Sequence, residues 1–130
     1  MKFADSNVLL YLASDDSDKA AIATGVLNSH PVVSVQVLNE VVNVTRRKFG
    51  RSWPDVREFL DRIAPLVDVR PVTLETHRRA LMIAERYQTG WWDALIVAAA
   101  LEAECDKLYS EDMHAGLVID DRVRIVNPFA

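Results

Sequence analysis

Short apolar runs alternate along the chain with segments of helical period. Met1–Ala4 reads as a first strand. Pro31–Ser34 reads as a second, Val67–Val72 as a third, Lys107–Ser110 as a fourth and Val123–Val126 as a fifth. The last alternates polar and apolar positions, as expected of a strand at a sheet edge. Between the strands, Val56, Phe59, Leu60, Ile63 and Ala64 recur at i, i+3, i+4, i+7 and i+8, one apolar face of a helix. Ser52-Trp53-Pro54-Asp55 supplies its cap and an early Pro. Leu74 to Tyr87 repeats the pattern through His77, Ala80, Leu81 and Ala84, with Gly90 expected to end it. Ile22, Val26 and Leu27 predict a shorter helix.

Ser34–Lys48 is ambiguous. Its valines favour strand and its length favours helix. A helix from Val35, capped by Ser34, is the better reading. Strands alternating with helices predict an α/β domain with a mostly parallel sheet of four to five strands. Right-handed crossovers place helices on both faces.

At 130 residues and half hydrophobic, the chain fits one domain, residues 1–130, with a real core. The formal charge of −4 argues against gripping nucleic acid by bulk positive charge. The charge is uneven, however: Arg46, Arg47, Lys48 and Arg51 fall within six residues. They are either a solvated helix end, favoured by the helix dipole, or a contact for a polyanion. The single Cys105 excludes an intrachain disulfide and a cysteine metal cluster. It is expected to be a packing residue in a helix, and a reducing cytoplasm fits. Asp5 interrupts any leader-like apolar stretch, so no secretory signal is expected. Ala94–Leu101 is the longest apolar run and far too short to span a bilayer.

Four acidic residues stand where a solvated surface would not put them: Asp5, Glu40, Asp93 and Asp112. Carboxylates are rarely buried unless paired or metal-bound. Asp5 and Asp112 fall at the carboxyl ends of the first and fourth strands, where open α/β sheets form their sites. Asp93 is followed at i+3, i+4, i+7 and i+8 by Ile96, Val97, Ala100 and Leu101, which predicts a place on the buried stripe at the first turn of its helix. Glu40 shares a helix face with Val37 and Val44, so half-burial is expected. Taken singly, each has a plain alternative as a cap, a turn former or an edge residue. Together they suggest one pocket. None has a Lys or Arg within two positions, so a bound cation is the natural counter-charge. An all-oxygen set selects Mg²⁺ or Mn²⁺. His30, His77 and His114 lack zinc-site spacing. Ser14–Asp18 and Asp120-Asp121 read instead as a capped helix start and a turn.

These residues resemble the PIN-domain ribonucleases, in particular the VapC-type toxins of bacterial type II toxin–antitoxin systems. The resemblance is carried by Asp5-Ser6-Asn7, by Ser34 with Asn39-Glu40, by Asp93-Ala94-Leu95-Ile96, by Ser110-Glu111-Asp112 and by the closing Asn127-Pro128-Phe129. Ser6 and Ser110 stand where the family often has Thr, and the fourth acidic position varies, with Glu111 competing with Asp112. The resemblance implies a three-layer α/β/α fold and a metal-dependent endoribonuclease in which Asp5, Asp93 and Asp112 hold Mg²⁺ or Mn²⁺ and Glu40 completes the pocket. Ser6, Asn7 and Ser110 would orient these groups, and Arg46, Arg47, Lys48 and Arg51 would hold the RNA backbone. It also implies a cognate antitoxin and a homodimer; no membrane association is expected, because no apolar run is long enough. Rival classes are a phosphoryl-transfer signalling domain and a non-catalytic Mg²⁺-binding module. A receiver domain needs a Lys after a late strand, and none follows Val126.

Overall fold

The structure is a computed structural model describing residues 1–130. Its strands are β1 (Lys2–Ala4), β2 (Val32–Ser34), β3 (Asp68–Arg70), β4 (Lys107–Tyr109), β5 (Val118–Ile119) and β6 (Val123–Val126). Its helices are α1 (Ser6–Leu10), α2 (Ser17–Leu27), α3 (Val35–Arg47), α4 (Trp53–Ile63), α5 (Leu74–Tyr87) and α6 (Trp91–Glu102). The strands form one sheet in the order β3-β2-β1-β4-β6-β5, parallel except for β5. From β1 the chain steps outward to β2 and β3, then returns past β1 to β4. With right-handed crossovers, that reversal puts α1–α4 on one face and α5–α6 on the other. The expected α/β sandwich is therefore present, with six strands instead of four to five.

The central strands are apolar because both of their faces are covered. Phe3, Ala4, Val32, Val33 and Leu108 are buried with at most 1 % exposure. Ser34 accepts the Val37 N–H at 3.3 Å and converts the valine-rich segment into α3, whose Val37, Val41 and Thr45 face inward. β6 is not the edge expected of it. The two-residue β5 covers it through a turn in which Asp120 and Asp121 both take positive φ, as a tight primed hairpin turn requires. Gly90 does not end α5. Gln88 does so in the left-handed conformation, and Gly90 is the N-cap of α6.

α6 differs from the expectation in a way that bears on the site. Ala94 to Leu101 are all buried, because α6 packs against α5 on one side and β2, β4 and β6 on the other. A helix buried all round has no single apolar stripe, so the argument that put Asp93 on one does not hold. Asp93 is exposed at the first turn, where α6 emerges near the carboxyl edge of the sheet. Cys105 is buried but lies after α6, in the turn leading to β4, and burial raises its thiol to about 11.

Candidate active site

The reversal of strand order falls between β1 and β4. In an open parallel sheet a crevice forms there, outside the carboxyl ends. Asp5 follows β1 directly and is only 5 % exposed. The Ser6 N–H donates to its Oδ1 at 2.7 Å, making Asp5 the cap of α1, a short helix the apolar pattern did not announce. Its Oδ2 accepts the Ser110 hydroxyl at 2.7 Å and the Asn7 amide at 3.4 Å. That amide also donates to Ser110 Oγ at 3.3 Å and to Asp112 Oδ2 at 3.2 Å. Asn7 and Ser110, both buried, thus tie the β1 and β4 ends together.

All four carboxylates meet in this crevice. Burial, most of all, pushes the Asp5 carboxyl above its usual range; the Ser110 and Ser6 hydrogen bonds oppose this, and Asp93 and Asp112 add to it. Glu40 comes in half-buried from α3. It is pushed up to about 7, first by burial and then by Asp5, with the Ser6 hydroxyl opposing and Asp93 and Asp112 contributing less. Asp93 is raised by the desolvating cleft walls, then by Asp112. Asp93 is exposed by surface area, yet it sits in a cleft mouth with Val97, Asp112 and His114. None of the molecule's five ion pairs involves any of the four. Carboxylates that repel one another with no basic side chain between them are stabilised by a bound positive charge.

No three of these side chains are closed into a finished metal cage. The donor set is all-oxygen and open. The chemistry of those donors is that preferred by a hard ion such as Mg²⁺ or Mn²⁺, which keeps several of its waters.

Glu111, the competitor of Asp112, turns elsewhere. Its carboxylate receives Lys19 Nζ at 2.7 Å and the Tyr11 hydroxyl, while Asn7 Oδ1 accepts its backbone N–H at 3.2 Å. The Lys19 contact was not legible in sequence, because the partners lie 92 residues apart.

The basic cluster splits. A cleft of ≈ 730 Å³ runs from Ser6, Asn7 and Asp112 to Lys48 and Arg51. Arg46 is not free to line it: its guanidinium donates to the Arg51 carbonyl at 2.8 Å and stacks 4.3 Å from the Trp53 ring. Arg47 is exposed on α3. Trp92 is exposed, whereas Trp91 is half-buried with His77 edge-on at 5.2 Å.

A parallel sheet with carboxylates converging at its switch point, matched over residues 2–116 by the PIN-domain model, places the chain in the PIN-domain family. Comparison with curated proteins gives no match. Among solved structures it is similar to a toxin–antitoxin complex from Klebsiella pneumoniae, at 20 % identity and a TM-score of 0.71 over 98 % of both chains. It is also similar to VapC20 of Mycobacterium tuberculosis, a toxin that cleaves the sarcin–ricin loop, at 19 % identity and a TM-score of 0.70 over 86 % of this chain and 90 % of that one. VapBC2 of Rickettsia felis, bound to a DNA fragment from its promoter, aligns at 14 % identity and a TM-score of 0.69 over 97 % and 98 %. At these identities the likeness is one of fold.

Proposed function

We propose that the chain is a metal-dependent endoribonuclease acting as the toxin of a toxin–antitoxin pair. One observation carries the reading: four carboxylates from separate elements converge at the sheet's switch point with no basic side chain paired to any of them, in a crevice whose larger cleft ends at Lys48 and Arg51. Asp5, Asp93 and Asp112 would hold Mg²⁺ or Mn²⁺, with Glu40 at the edge of the pocket. Bound there, the ion supplies a water of lowered pKa and positive charge against the phosphoryl oxygens. Asn7 and Ser110 fix the Asp5 and Asp112 carboxylates, and Ser6 faces Glu40. Glu40, half-buried at the pocket's edge, is placed to exchange a proton with the attacking water. Lys48 and Arg51 hold the RNA backbone in the cleft, with Arg47 beside them and Arg46 bracing the turn that presents Arg51.

The similar toxin–antitoxin complex from Klebsiella pneumoniae supports a protein antitoxin as partner. A homodimer is supported by Leu74, Leu81, Met82 and Trp92, apolar and exposed on α5 and at the start of α6. No helix is long and apolar enough to cross a membrane, and action on RNA in the cytoplasm is part of the reading.

The test is cleavage of single-stranded RNA by purified protein. Mg²⁺ or Mn²⁺ should support cutting and EDTA should abolish it. Asp93→Asn should lower the rate by about a hundredfold or more with an unchanged far-ultraviolet spectrum. An Asp93→Asn protein that cuts at the wild-type rate overturns the proposal.

A further inference from the structure

Asp112 lies on an irregular loop after β4, and its side chain is held by one contact, the Asn7 amide at 3.2 Å. Its neighbour Glu111 is held at three points. Lys19 Nζ lies 2.7 Å from Oε1, the Tyr11 hydroxyl donates to Oε2, and Asn7 accepts the backbone N–H at 3.2 Å. Lys19 Nζ also donates to the Tyr11 oxygen at 3.0 Å. Its ammonium sits 4.8 Å from the Tyr11 ring centroid, and that ring packs on Phe129 at 4.6 Å. Lys19 is fixed in turn by Asp16, whose Oδ1 caps its backbone N–H at 3.1 Å.

The Lys19 and Glu111 side chains are only 33 % and 25 % exposed. Solvent still reaches the pair, so its geometry is held by the hydrogen bonds to Tyr11 and Asn7 together with the ion pair, more than by charge attraction alone. Two effects follow. Glu111 is drawn out of the acidic pocket, so no fifth carboxylate adds to the repulsion there. The loop is pinned to α1 and α2 at the residue next to Asp112, which fixes where that carboxylate points.

We propose that Lys19, Tyr11 and Glu111 form a positioning clamp that sets Asp112 in the pocket. Its effect on metal and RNA rests on the function proposed above; its effect on the loop does not. Hydrogen exchange in the metal-free protein reads the loop. Lys19→Met should speed exchange of the Glu111–Met113 amides about tenfold or more, with β1 and β4 unchanged. Tyr11→Phe, which keeps the ring packing, should act in the same direction and guards against a Lys19→Met chain that fails to fold. Mn²⁺ titration reads the site. Lys19→Met should weaken binding about tenfold to a hundredfold, the range for partners that orient metal ligands, and Lys19→Arg should restore it. In an Asp112→Asn background Lys19→Met should add nothing, whereas a general structural loss would persist. Unchanged exchange in both variants overturns the clamp, as does an undiminished Lys19→Met effect in the Asp112→Asn background. A wild-type chain that cuts no RNA sinks the proposed activity instead, and the exchange result still decides the clamp.

Discussion

Asp5 shows how a residue can be well hydrogen-bonded and still costly. Three protein donors reach its carboxylate, yet burial outweighs them and holds its pKa up. Asn caps helices about as well as Asp. Asp5→Asn should therefore abolish cleavage while the melting temperature in EDTA stays equal to or above wild type; a clear fall would mean that the ionised carboxylate holds the fold together. Glu40 gives a pH signature. It ionises near 4.5 in an unfolded chain and at about 7 in the fold. Across that window the folded state binds the proton more tightly, so metal-free stability falls as pH rises from about 4.5 to about 7. Asp5 and Asp93 shift the same way. Melts in EDTA should show this slope, Glu40→Gln should flatten it, and saturating Mg²⁺ should reverse it. Sequence exposed these residues because each carboxylate adjoins apolar neighbours. It could not show that Glu111, on the loop after β4, would be claimed by a lysine of α2.

Among the elements, those with local punctuation were legible. Ser34 and Ser52 accept the N–H groups expected of helix caps, and Thr73 forms a reciprocal box with Thr76 at 3.0 and 3.2 Å. Thr73→Ala should cost about 1 kcal/mol, measurable by urea unfolding. What escaped was short or set by distant packing. β5 has two residues, and α1 has five and depends on Asp5 as its cap. α6 misled for another reason: a regular spacing can be counted in any uniformly apolar helix, so the count could not separate one buried face from burial all round. Its Ala100 has no exposure. Ala100→Leu should destabilise by about 1–3 kcal/mol through overpacking, lowering the urea midpoint far more than a similar change at the exposed Met82.

For the whole molecule, alternation of strand and helix sufficed to foresee a mostly parallel sheet, and the order of motifs foresaw the family. The strand order was not available from pattern, because nothing local to β1 says that β4 will be its neighbour. The exposed Leu74, Leu81, Met82 and Trp92 bear on assembly. If the proposed homodimer forms through this face, Met82→Glu should shift the chain to monomer in sedimentation while leaving its melting temperature in dilute solution nearly unchanged; a wild-type chain already monomeric in sedimentation overturns the dimer. The central position of β1 also has a consequence for synthesis. Asn7 meets Ser110 and Asp112 across more than a hundred residues, so this contact is among the last that the chain can make. While the ribosome is still extending the polypeptide, β1 has no β4 to pair with, and the crevice does not exist. A nascent or prematurely ended chain therefore lacks the crevice, and the chemistry proposed for it can begin only once β4 and the loop after it have emerged.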